Sequence, residues 1–146
     1  MKKHIFRITG MLFLAVLAVT QATQAQERVA VNVPFDFNAG NTKLPAGEYV
    51  VGKSDHIATM LKIERADGTA AILVPSNAAE SNSSQSESKL VFHKYGDRYF
   101  LSQVWTAGSA RGRELMKSAA EKEVALSARI EKPEQVTLFA SLISPK

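Results

Sequence analysis

The 146-residue chain contains no cysteine. Thiol nucleophiles, disulfides and cysteine-ligated metals are therefore excluded, and the fold must be held by its core alone. Histidine is nearly as scarce. Beyond position 25 there are only His56 and His93, with no His-x-His or His-x-x-x-His pair of metal-ligand spacing. Nor does a Gly-x-Ser-x-Gly nucleophile elbow occur. No metal and no cofactor is expected.

The chain also lacks an apolar run long enough to span a membrane. The longest is "GMLFLAVLAV", which follows Lys2, Lys3 and Arg7 and precedes the small residues Thr23 and Ala25. About 20 apolar residues are needed for a span. This pattern predicts a secretory signal peptide over residues 1–25, cleaved between Ala25 and Gln26, with an uncleaved anchor as the alternative. No cysteine follows the run, so a lipoprotein is excluded. The expectation is an exported protein, periplasmic or extracellular, with one domain over residues 26–146 and no stable membrane span after cleavage.

A strong charge of one sign is absent as well. The chain holds 18 basic and 14 acidic residues, and the leader carries three of the basic ones and none of the acidic ones. The mature chain is thus near +1, and nucleic acid is not an expected partner.

What is present is strand pattern. In "VAVNVPFDFN", residues 29–38, Val29, Val31, Val33, Phe35 and Phe37 alternate with small or polar residues, which predicts a half-buried strand, edged or bulged at Pro34. The order Leu44, Pro45, Gly47, Tyr49 is similar to a tyrosine corner, in which the hydroxyl bonds back across a loop; an ordinary turn before a core tyrosine is the alternative. Asp67-Gly68 and Gly96-Asp97 each lie between apolar runs and predict hairpins. Residues 76–88 are Ser-rich and read as a polar loop.

Ser118 followed by Glu121 spells a capping box, and Ala119, Leu126 and Ile130 give the ensuing helix a narrow apolar stripe that ends before Pro133. That stripe lacks aromatics, which argues against membrane docking. "EQVTLFASLI" reads as a last strand. The sum is an all-β fold, a small antiparallel β-sandwich or barrel of about seven strands with one C-terminal helix.

The stretch "VFHKYGDRYFLSQVW", residues 91–105, concentrates reactive residue types. A two-residue turn at Gly96-Asp97 pairs Tyr95 with Arg98, His93 with Phe100 and Val91 with Ser102. Leu90, Phe92, Tyr99, Leu101 and Trp105 then form a core face. Asp97 sits at the turn tip, too far from His93 for a local His-Asp dyad, since strands rise about 3.3 Å per residue. The opposite face, with Val91, His93, Tyr95, Phe100 and Val104, is also largely apolar. Either the helix covers it, or it lines a lumen in which His93, Tyr95 and Phe100 bind a small apolar ligand. A second candidate is "SARGRELMK", where Arg111, Arg113 and Lys117 around Gly112 could hold an anion; solvated charge in a loop is the plain alternative.

With "VNVPFDFNAGNTKLPAGEYVV", "LVFHKYGDRYFLSQVW" and "GREL" in view, the chain resembles a family of small, uncharacterised exported β-rich proteins of acidobacteria-like soil bacteria, over about Val29 to Phe139. The resemblance implies an exported bacterial β protein, and no activity, cofactor, partner or functional residue carries over with it. The expected function is a cell-envelope binding or structural module without catalytic activity, its partner an envelope protein or a small apolar ligand. The alternatives are a lipocalin-like carrier of a small apolar ligand and, third, a hydrolase using His93.

Overall fold

The computed structural model describes residues 27–143; the expected signal peptide, residues 1–25, lies outside them. Ten strands and one helix follow in chain order: β1 (Arg28–Val33), β2 (Phe37–Ala39), β3 (Thr42–Leu44), β4 (Gly47–Lys53), β5 (Met60–Arg65), β6 (Ala71–Glu80), β7 (Ser88–Tyr95), β8 (Arg98–Trp105), β9 (Arg111–Leu115), α1 (Ala119–Ala128) and β10 (Glu134–Ile143). Eight of the strands close into an antiparallel barrel in the order β1-β4-β5-β6-β9-β8-β7-β10 and back to β1. The fold is thus the barrel, not the open sandwich.

Two long strands make the closure possible. β6 pairs with β5 through Ala71–Pro75 and with β9 through Ser76–Glu80. β10 pairs with β7 through Glu134–Ala140 and with β1 through Ser141–Ile143. Each turns a corner between two sheets, which removes the unpaired edges that an open sheet would leave. The Ser-rich stretch is accordingly shorter than expected from composition. Ser76–Glu80 is strand, because its backbone amides find a partner in β9.

The first alternating segment also divides. Val29, Val31, Val33, Phe37 and Ala39 are buried on one face as the alternation requires, but the strand stops at Val33, before Pro34. Proline has no N–H to give to a ladder. The chain restarts as β2, which pairs with β3 and, at Asn38↔Phe100, in parallel with β8. Phe37, Ala39 and Leu44 of this hairpin enter the barrel core. Its turn residue Gly40 (φ +60°) lies so close to β6 that a Cβ there would meet Val74 at 2.7 Å. The hairpin therefore plugs one end of the barrel.

Inside, aromatic rings fill the space. Phe37 meets Tyr49 and Phe92 edge to face at 5.2 and 5.4 Å, and at the margin of the core the half-buried Phe35 stacks on the half-buried Tyr99 at 3.8 Å. Eight strands enclose an interior just wide enough for side chains to fill. The Tyr49 hydroxyl donates to the Pro45 carbonyl at 2.5 Å, so the expected tyrosine corner forms.

The β7–β8 hairpin carries an irregularity that periodicity did not register. Tyr95↔Arg98 and His93↔Phe100 pair as expected, but Val91 faces Gln103, not Ser102. Ser102 is the extra residue of a β-bulge, and beyond it the parity of β8 reverses. Val104 consequently enters the core, while Trp105, expected there, is buried outside it against Gly112. The "GREL" segment is likewise strand β9, not loop.

Candidate functional site

Two places gather polar side chains, and they lie on opposite sides of the barrel wall. The first is the outer face of the β7–β8 hairpin. His93 and Tyr95 alternate to the same side of β7, and the bulge swings Ser102 of β8 onto that side. Above them lies α1. Ser118 caps it, its hydroxyl accepting from the Glu121 amide at 3.1 Å. In a full capping box the Glu121 side chain would turn back to the cap. Here Glu121 Oε1 goes instead to His93 Nδ1 at 2.6 Å and accepts from the Tyr95 hydroxyl at 3.0 Å. Ser102 Oγ completes the chain at 3.1 Å from His93 Nε2.

Glu121 is 4 % exposed, and it is the buried residue of a helix whose Leu126 is 80 % exposed. The expected Ala119–Leu126–Ile130 stripe therefore does not face the barrel. A buried, hydrogen-bonded carboxylate sets the rotation of the helix instead, because leaving it unpaired is more costly than leaving a leucine in water. Burial, reinforced by the adjacent Glu121 carboxylate, pushes the Tyr95 hydroxyl up to about 12. Tyr95 thus stays a donor at all physiological pH values.

Ser102, His93 and Glu121 have the connectivity of a nucleophile, a base and an orienting acid. Two features oppose that use. Ser102 is 4 % exposed beneath the helix. Glu121 rides on that same helix, so lifting α1 to admit a substrate would dismantle the relay. His93, Tyr95 and Phe100 are indeed brought together, with the Tyr95 and Phe100 rings at 5.8 Å. They sit between barrel and helix, however, and none belongs to the core that fills the lumen.

The second place is the barrel mouth opposite the plug. A cavity of about 480 Å³ opens there between β4 and the β8–β9 hairpin, its lining including Glu27, Val51, Lys53, Val104, Arg111 and Arg113. Parity explains the lining. Val51 is a core residue of β4 and Lys53 lies two positions on; Leu115 is a core residue of β9, and Arg113 and Arg111 lie two and four positions back. Arg113 is moreover paired across to the core residue Val104. Three cations thus occupy inward-facing positions. Arg113 reaches deepest, its Nε and Nη2 donating to Ser76 Oγ at 3.0 and 2.8 Å and its Nη2 also to the Ser76 carbonyl. Arg111 stays at the rim, 3.9 Å from Glu80 with both exposed. Lys117 is not part of this group; it lies beside α1, near Leu126 and Arg129.

Lys53 lies in a segment, "GEYVVGKS" (residues 47–54), that matches the Gly-x-x-x-x-Gly-Lys-Ser spelling of a phosphate loop. That motif works by curling between a strand and a helix so that backbone amides converge on phosphate. Gly47–Lys53 is instead the extended strand β4, laddered to β1 and β5. The match is one of spelling only.

Residue types alone did not reveal Ser102, Glu121, Ser76 or Lys53. The only local signal was the Ser118/Glu121 spacing, which located the helix start and left the destination of the carboxylate open. No protein-family model, curated protein or solved structure matches the chain.

Proposed function

We propose that the protein is an exported cell-envelope binding module without catalytic activity, which meets its ligand at the mouth of the barrel and not in a central lumen. The observation that carries this reading is the contrast between a barrel interior filled by Phe37, Tyr49 and Phe92 and a ligand-sized cavity at one mouth. The N-terminal leader pattern and the resemblance to small exported bacterial proteins support the compartment. Among the described residues no helix is long and apolar enough to cross a membrane.

The test is native mass spectrometry on protein recovered from its own host's envelope fraction. A reproducible added mass, or a stoichiometric partner, supports the module. Protein retained in the cytosol with its leader uncleaved, or recovered from the envelope bare in every preparation, overturns it.

The Ser102–His93–Glu121 chain favours a second reading, a hydrolase of esters. Ser102 Oγ would attack the carbonyl carbon as its proton passes to His93 Nε2, with Glu121 steadying the imidazolium. That proton would then go to the departing alkoxide, and water would release the acyl group. A fluorophosphonate probe decides it. An adduct on Ser102 that His93→Ala abolishes supports the hydrolase, and a wild-type protein that never labels removes it.

A further inference from the structure

We propose that the ligand of the barrel mouth is a small molecule with an anionic head, carboxylate or phosphate, and a short apolar body. The inference rests on the binding-module reading above and assigns its site.

The strongest sign is Arg113. Arg113 is half-buried at an inward position next to the packed core, where a partly desolvated cation gains from a counter-charge as well as from hydrogen bonds. Ser76 supplies hydrogen bonds to Nε and Nη2. Among the described residues no carboxylate pairs with Arg113. A neutral residue at this position would fill the space without needing one. The guanidinium is therefore held, by Ser76 on the neighbouring strand, with its charge uncompensated and facing the cavity.

Of the remaining lining, Lys53 and Arg111 agree in sign with Arg113, while Glu27 brings one carboxylate to the same opening and leaves cations in excess. Lys53 enters from β4 and Arg111 from β9, so cations approach from two sides of the opening. The guanidinium fork matches the paired oxygens of a carboxylate or phosphate, and the ammonium adds a point charge. Beneath them Val51 and Val104 form an apolar floor. A bare inorganic anion would leave that floor wet, whereas a purely apolar ligand would leave Arg113 and Lys53, which among the described residues are in no ion pair, unanswered. A head and a short tail satisfy both parts, and about 480 Å³ is ample for such a molecule.

Calorimetric titration of the purified protein with octanoate, 1-octanol and inorganic phosphate tests this. Octanoate is expected to bind at least about tenfold more tightly than 1-octanol or phosphate, each of which offers only half of the match. Arg113→Met, which keeps length and removes charge, should weaken octanoate at least about tenfold, and Lys53→Gln by a smaller factor. Circular dichroism reports whether Arg113→Met still folds. If it does not, Lys53→Gln and Arg111→Gln at the rim carry the test, and octanoate affinity unchanged in both overturns the assignment. Equal binding of octanol and octanoate overturns it in favour of an apolar carrier. Absence of binding by both anions overturns it too; a co-purified mass from the envelope would then leave the module standing with a different ligand, and bare protein would remove both.

Discussion

His93 Nδ1 lies 2.6 Å from Glu121 Oε1, and this one hydrogen bond ties the barrel to its helix across 28 positions of chain. Tyr95 on one side and Ser102 on the other extend it into a four-residue chain. The helix has little else to hold it, since it buries a carboxylate inward and turns its leucine outward.

Glu121→Ala should therefore release α1 without unfolding the barrel. It strands the buried Tyr95 and the half-buried His93, at a cost of about 2–4 kcal/mol. Hydrogen exchange should show the amides of Ala119–Ala128 losing protection while those of β7 and β8 keep theirs. Uniform loss across the whole domain would show that the helix and barrel unfold as one unit.

Tyr95 gives the same cluster a pH dependence. Its hydroxyl is pushed from 10.0 up to about 12 by burial and by Glu121, so the folded state holds that proton more tightly than the unfolded chain does. The associated stability is complete below pH 10 and is lost as pH rises towards 12. A shift of this size is worth at most about 2–3 kcal/mol. Urea midpoints measured across that interval should fall for the wild type and fall less for Tyr95→Phe, which has no proton to lose.

The bulge is testable by deletion. Ser102→Ala removes only the hydrogen bond to His93 and should cost about 1 kcal/mol. Deleting Ser102 instead removes the extra residue and leaves Leu101 opposite Phe92, Gln103 opposite Val91 and Val104 still facing the core. Thermal melts followed by circular dichroism should show a cooperative transition for both variants; loss of cooperativity in the deletion alone would mean that the barrel needs the bend of the bulge as well as its parity.

Gly112 is needed because Trp105 lies across it. A Cβ there would meet the indole at 2.6 Å and the Val104 carbonyl at 2.7 Å. Gly112→Ala should destabilise by about 1–3 kcal/mol, as overpacking does. It should also change the fluorescence of Trp105, which is the chain's one tryptophan. An unchanged emission spectrum and urea midpoint would mean the strand gives way without strain.

Much of the fold was legible because its signals are local. Alternation in "VAVNVPFDFN" follows from the two-residue period of a strand, and Val29, Val31, Val33 and Phe37 are buried as it demands. Gly96 takes the positive φ (61°) that its hairpin requires, and Tyr49 bonds back to Pro45 four residues away. The Ser118 cap is a contact over three residues. The strand count was less legible. Interruption at Pro34, extension through Ser76–Glu80 and the strand Arg111–Leu115 each depend on whether a partner strand is at hand.

The candidate sites were legible only in part. Arg111 and Arg113 stood out as a basic pair, and their placement in a strand puts both on one face where a loop would not have. Lys53, which completes their cavity, comes from a strand nearly sixty residues earlier in the chain, so no local pattern could join them.

By itself, then, the sequence determined the alternating strands, the hairpin turns, the helix start and the chemistry denied by the missing cysteines, since each rests on neighbours along the chain. Tertiary structure decided closure into a barrel, the parity shift at Ser102, the inward turn of Glu121 and the meeting of Lys53 with Arg113. Those depend on which buried polar group finds a partner across the fold, and that is settled only when distant strands are paired.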